Sequence, residues 1–195
     1  MSGTIDGLPM VLFEGQRQME DWLEQHHEAS AGIWVQIAKK ASGITSISYQ
    51  EALEIALCYG WIDSRKEKLN DELWIQRFTP RGARSIWSKV NVEKAERLIE
   101  QNRMKTAGLR AIETAKQNGQ WAKAYAPQST SELPEDFADA LARNEKAGAF
   151  FEALDKQNRY AMIFRIHNAK KAETRMKRIA QFVDMLEKGE RIYPK

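Results

Sequence analysis

The chain has 195 residues, of which 43% are hydrophobic, 29% charged and 9% aromatic, a composition that fits one globular domain or two small ones and excludes disorder. Its 30 Lys and Arg stand against 27 Asp and Glu for a formal net charge of +3, too balanced for the total to mark a nucleic-acid or membrane partner. The lone Cys58 rules out an intrachain disulfide and a cysteine-based zinc site.

The first ten residues carry no Lys or Arg and no apolar segment, so no signal peptide is expected and the expected location is cytoplasmic. No run reaches the ~18 apolar residues of a membrane span. Met19, Trp22, Leu23 and His26 recur at helical spacing, which predicts a helix from about Gly15 to His27, with His26 in the core and His27 facing solvent. Ile33, Val35 and Ile37 share one face of a strand over 33–38. Ser48 with Glu51 is a capping box. The helix it opens buries Ala52, Leu53, Ala56 and Leu57 and stops at Gly60. Cys58, near its end, reads as inert packing.

A hairpin follows, from 61–68 through a turn at Asn70-Asp71 into 73–78. It sets Trp74, Gln76 and Phe78 on one face and Leu73, Ile75 and Arg77 on the other. Pro80 ends it. Asn91 is expected to cap a helix bearing Val92, Ala95, Leu98 and Ile99, and Thr106 the next, which stops near Gly119. Residues 119–131 read as a linker. Pro134 at a first helical position opens a helical region. Phe137 with Leu141, then Phe150, Phe151 and Leu154, then Met162, Ile163 and Ile166 supply its apolar faces. A last helix carries Met176, Ile179, Ala180, Val183 and Leu186 and ends at Lys188-Gly189. The expected fold is α+β: a small antiparallel sheet of three or four strands packed by helices over 1–125, then a helical domain over 130–195.

Charge is distributed unevenly. Residues 1–60 hold 3 basic and 8 acidic side chains, 61–125 hold 14 and 8, and 126–195 hold 13 and 11. The basic middle interleaves Trp74, Phe78 and Trp87 with Arg77, Arg81, Arg84 and Lys89. Guanidinium forks beside flat rings suit a carboxylate, a phosphate or a stacked base. The plainer reading is a strand of core aromatics whose arginines pair with Asp63, Glu67 or Glu72. Asp63, beside Trp61, is a weak catalytic candidate: in an apolar setting its pKa would rise and suit acid–base work, although an ion pair to a nearby arginine is the commoner arrangement. Asp63 and Arg77 could face each other across the hairpin. No G-x-S-x-G elbow surrounds Ser85 or Ser88. No H-E-x-x-H or paired-cysteine pattern occurs, so no metal and no other cofactor is expected.

The string Glu51-Ala52-Leu53, Ala56-Leu57-Cys58-Tyr59-Gly60-Trp61-Ile62-Asp63 resembles the YdeI/OmpD-associated, or bacteriocin-protection, family of bacterial proteins. So do Arg77-Phe78-Thr79-Pro80-Arg81 and Ser85-Ile86-Trp87-Ser88-Lys89-Val90-Asn91. The start, with Phe13, Trp22-Leu23, Trp34 and Lys39-Lys40, and the tail, from Leu133-Pro134 through His167 to Arg191-Ile192, are similar as well. The resemblance implies a role in stress resistance or in protection against antimicrobial peptides, and brings no catalytic residues with it. Joined to the basic aromatic segment, it leads to the expectation of a small anionic or peptide-like ligand held by Trp61, Asp63, Arg77, Arg81, Arg84, Trp87 and Asn91. Two alternatives stand beside it. One is an enzyme with Asp63 as acid or base and Arg77 or Arg81 stabilising negative charge. The other is a nucleic-acid or acidic-protein binder using the basic middle and the run Arg165–Arg178, where six cations accompany Glu173.

Overall fold

The computed structural model describes residues 3–127 and 130–194. It divides into two compact units, Met1–Ala124 and Tyr125–Lys195. Residues 128 and 129 of the expected linker lie outside the described residues, as do 1, 2 and 195 at the ends of the expected domains.

The first unit runs β1 (Gly3–Ile5), β2 (Leu8–Leu12), α1 (Gln16–His26), β3 (Ile33–Ala38), α2 (Tyr49–Cys58), β4 (Trp61–Lys68), β5 (Leu73–Pro80), α3 (Lys89–Glu100) and α4 (Thr106–Gln117). Its strands form one sheet in the order β1-β2-β3-β5-β4. The fold class is α+β, but the sheet has five strands and is mixed, where three or four antiparallel strands were expected. β2 lies parallel to β3 and the other neighbours are antiparallel. A parallel pair needs a crossover of a dozen or more residues, and α1 provides it.

The sheet's two faces differ. Ile33, Val35, Ile37 and Phe78 point into a core shared with Met19 and Leu23 of α1, Leu53 and Leu57 of α2, Leu98 of α3 and Ile112 of α4. Trp34 and Ile75 point the opposite way and pack with Leu8 in a separate small cluster. The alternation is the period of two that a pleated strand imposes. At the C-terminal end of α2 the backbones come very close. Lys105 N donates to the Cys58 carbonyl (3.1 Å), and a Cβ on Gly108 would lie 2.3 Å from that same oxygen. Gly60, at φ +74°, turns the chain out of α2 where a Cβ would meet the Ala107 carbonyl at 2.8 Å.

Helix ends follow local chemistry, with three corrections. The capping box at α2 forms as expected, Glu51 N donating to Ser48 Oγ (3.3 Å) and Ser48 N to Glu51 Oε2 (2.9 Å). α3 is capped by Ser88, whose hydroxyl accepts from Asn91 N (3.1 Å). Asn91 is therefore the third helical residue and not the cap. α4 has Lys105 at its cap position without a side-chain bond, and Pro134 is itself the cap residue of the next helix. His26 is exposed and His27 half-buried, the reverse of expectation. The His26 ring stacks on Trp22 at 4.7 Å and its Nδ1 donates to the Trp22 carbonyl (2.7 Å), so the last turn of its own helix satisfies it.

The second unit is helical: α5 (Glu135–Ala142), α6 (Glu145–Ala153), α7 (Lys156–His167) and α8 (Ala172–Glu187). Its core gathers Phe137, Phe151, Met162, Ile166, Phe182 and Leu186. The buried face of α8 is centred on Phe182 and Leu186, while Met176, expected in that stripe, is 64% exposed. Near the C-terminus the buried Asn158 amide accepts from Tyr193 N (2.9 Å) and donates to the Tyr193 carbonyl (3.2 Å), which fixes the segment after α8.

Candidate functional site

Strand register decides which of the expected site residues can act together. Across β4 and β5, Asp63 opposes Phe78 and Trp61 opposes Pro80; across β3 and β5, Trp34 opposes Arg77. Asp63 thus shares the helix-packed face with Phe78, whereas Arg77 stands on the opposite face with Trp34. The two cannot face each other across the hairpin, and an enzyme that couples Asp63 to Arg77 has no common site. Asp63 is half-buried and accepts a hydrogen bond from the Tyr49 hydroxyl (2.8 Å). Trp61 is a core side chain, 1% exposed, whose indole N–H donates to the His27 carbonyl (3.3 Å).

The loop after β5 brings a second subset together. Arg81 N donates to the Gly60 carbonyl (2.9 Å). Its guanidinium lies 3.6 Å over the Trp87 ring, and Nη1 donates to the Ile86 carbonyl (3.1 Å). Trp87 is buried and meets Trp121 edge-on at 4.8 Å, and Lys116 Nζ lies 5.6 Å over the Trp121 ring. The loop itself is held by Gly82 N donating to Ser85 Oγ (3.0 Å) and Asn118 Nδ2 donating to the Ala83 carbonyl (2.5 Å). Arg84 is exposed on this loop, and Asn91 is buried in the first turn of α3. Arg81, Trp87, Arg84 and Asn91 therefore share the stretch that leads into α3, while Trp61, Asp63 and Arg77 occupy two other environments.

Much of the basic middle is engaged in ion pairs. Glu54 on α2 draws Arg97 (2.6 Å), Arg103 (3.3 Å) and Lys94 (3.6 Å). Glu28 pairs with Arg110 (3.2 Å). Glu24 accepts from the Tyr59 hydroxyl (2.7 Å); that bond lowers the Glu24 pKa, and burial together with the same bond raises that of Tyr59. Burial pushes the Cys58 thiol up to about 11, in keeping with inert packing. In the basic run of the second unit, Arg175 forms a two-pronged pair with Asp136 (2.6 and 2.8 Å), Arg178 donates to the Arg165 carbonyl, and Lys177 pairs with Glu173 (3.0 Å).

Sequence reasoning missed a cleft in the second unit. It encloses about 480 Å³ and is lined by Ser131 and Leu133, by Phe151 and Glu152 of α6, and by Lys156, Arg159, Tyr160 and Ile163 of α7. The four α7 residues fall at i, i+3, i+4 and i+7, one helical face. Of these, Phe151 and Ile163 are buried, and Leu133 keeps 36% of its surface exposed. Arg159 Nη1 lies 3.6 Å from Glu152 Oε2. The Tyr160 hydroxyl donates to the Ala126 carbonyl (3.2 Å), and burial raises its pKa. The readable signal was the mixed stripe from Lys156 to Ile163, apolar at one end and cationic at the other.

Among the described residues, no group of three or more His, Cys, Asp and Glu side chains is placed to hold a metal ion, and no helix is long and apolar enough to cross a membrane. Residues 11–111 match a family model described as a domain of unknown function (DUF8412). Residues 130–189 match one described as Bacteriocin-protection, YdeI or OmpD-Associated. The motifs at 51–63 and 77–91 thus lie in the first matched region and the cleft in the second. No curated protein and no solved structure matches the chain.

Proposed function

Because the chain belongs to the DUF8412 family, which covers residues 11–111, and its second unit is similar to the bacteriocin-protection family over 130–189, we propose that it is a protective binding protein whose second unit holds a peptide-like ligand. The observation that carries this reading is the cleft of about 480 Å³ lying wholly within 131–163. Its volume is in the range of small-ligand sites, roughly 300–1,000 Å³. Phe151, Ile163, Leu133 and the Tyr160 ring offer a surface for large apolar side chains. The lining sets Lys156 and Arg159 against the single acid Glu152, which suits a carboxylate at one end of the bound segment. Such a ligand is a short stretch of peptide with apolar residues and a free C-terminal or side-chain carboxylate.

The experiment is fluorescence anisotropy with a labelled pentapeptide carrying two leucines and a free C-terminal carboxylate. Ile163→Glu should weaken binding tenfold or more, about 1.4 kcal/mol or greater, and Lys156→Glu should weaken the acid peptide more than its C-terminal amide. Cells producing the chain should survive a pore-forming peptide bacteriocin better than cells producing Ile163→Glu. Equal binding and equal survival with the variant would sink the reading.

A further inference from the structure

The face of the sheet turned away from α1–α4 carries a cation with no neutralising partner. Arg77 is half-buried, its Nε is buried without a hydrogen-bond partner, and no carboxylate pairs with its guanidinium among the described residues. A guanidinium cannot relieve such a position by deprotonating, as a lysine could. Beside it stands a side-chain amide that makes no hydrogen bond among the described residues and keeps contact with solvent. It belongs to Gln36, which is 6% exposed. Trp34 opposes Arg77 and Gln36 opposes Ile75, so Gln36 and Arg77 are diagonal neighbours on one face, about 7–8 Å apart at the backbone and within mutual reach of two long side chains.

The rest of the sheet shows how its buried polar groups are otherwise treated. Gln76, on the helix-packed face and 3% exposed, donates its amide to the carbonyls of Arg65 and Arg77 (3.2 and 3.4 Å). Arg65, on the same face as Arg77, has Asp6 at 2.7 Å, Glu67 at 2.5 Å and the Trp34 ring at 5.0 Å. The acids at this margin of the sheet are thus engaged with Arg65. Among the described residues of the sheet, Arg77 Nε is buried without a partner, where buried polar groups are normally bonded, and the Gln36 amide on the same face has donors to spare.

We infer that Arg77 and Gln36 form a binding site for a small organic carboxylate. The two oxygens of a carboxylate match the planar guanidinium fork, which includes the buried Nε–H, and the Gln36 amide supplies a further donor. Burial at Nε removes competing water there and strengthens the bond it makes. A carboxylate suits the site better than a phosphate: one guanidinium balances one negative charge, and the half-buried Glu67 on the same face repels a second. This site is in a different unit from the cleft and does not depend on the peptide reading.

The test is a nitrogen-15 NMR titration of the whole chain with sodium acetate, with sodium chloride holding ionic strength constant and inorganic phosphate as a separate arm. The Arg77 Nε–H and Gln36 side-chain amide signals should move together and saturate with acetate. In Arg77→Gln the Gln36 response should vanish, and in Arg77→Lys the affinity should fall about tenfold, because the fork geometry is lost while the charge remains. Backbone spectra of both variants serve as the folding control, and if neither folds the wild-type titration alone decides. Signals that drift without saturating, that respond equally to chloride, or that bind phosphate as tightly as acetate would overturn the assignment.

Discussion

The two units solve the same problem of packing helices with different tightness. In the first, α4 presses against the end of α2 so closely that only a glycine fits at 108, with backbone oxygen 2.3 Å from where a Cβ would stand. In the second, α6 meets α5 at Gly148, where a Cβ would lie 3.2 Å from the Leu141 carbonyl, and α6 and α7 leave a cleft between them. Dense packing over a sheet makes a scaffold that cannot yield. Looser packing of short helices leaves volume, and volume is what a ligand needs.

Gly108→Ala breaks this comparison most forcefully. The obstructing atom is backbone at a helix end, so the neighbour cannot move aside as a flexible side chain would. Overpacking of this kind should cost about 3 kcal/mol, read from the urea midpoint. Gly148→Ala should stay within about 1 kcal/mol of wild type, since alanine's better helix propensity offsets a contact that needs only slight adjustment. Cys58 gives a second readout. Its carbonyl is the atom struck in Gly108→Ala, and its buried thiol should resist a thiol reagent in the wild type but react readily in the variant. Equal costs at 108 and 148 would show that the two units are equally tight.

The next effect concerns charge. Glu54 sits among Arg97, Arg103 and Lys94 with 22% of its side chain exposed. Glu54→Gln leaves three cations around a neutral group. Its cost should be about 1–2 kcal/mol, between exposed and fully buried pairs, and should shrink in high salt. A cost independent of salt would mean that packing between α2 and α3, and not charge, is what the residue supplies.

These same elements mark how far the sequence could be read. Ser48, Glu51 and Gly60 were legible because caps and turns depend on residues three or four apart. The faces of β5 were legible from alternation. Ser88 and Asn91 are both good caps, and the choice between them falls to the buried Trp87, which fixes where the chain enters α3. Asp6 and Gly7 adopt φ of +53° and +73°, the conformation that an Asp-Gly hairpin turn favours, so the turn between β1 and β2 has a local signal in the sequence. The parallel pairing of β2 with β3 had none, being a long-range choice. The candidate site suffered most from missing register: Asp63 and Arg77 are neighbours on paired strands, yet a pleat puts them on opposite faces. Arg77 drew attention for its charge, but Gln36, its companion, is an ordinary strand residue until β3 and β5 are aligned. The cleft joins three segments whose contributions look separately like core.

The smallest effect compares one carboxylate from each unit, the two being held by different kinds of donor. In the second unit the Arg175 guanidinium holds the Asp136 carboxyl below its ordinary value of 3.8. A depressed folded pKa adds stability in full above the ordinary value and loses it as the pH falls through the folded one. In the first unit Glu24 is also lowered, chiefly by the neutral Tyr59 hydroxyl. Asp136→Asn should therefore cost about 0.5–1 kcal/mol at neutral pH, the exposed ion pair being screened by solvent, and should flatten the stability curve below about pH 4. High salt should weaken the Asp136 contribution, which rests on a cation, and leave that of Tyr59 and Glu24 nearly intact, because a hydrogen bond from a neutral hydroxyl has little charge to screen. Thermal melts of Asp136→Asn and Tyr59→Phe at low and high salt measure both. Equal salt sensitivity in the two variants would remove the distinction and leave packing density as the difference between the units.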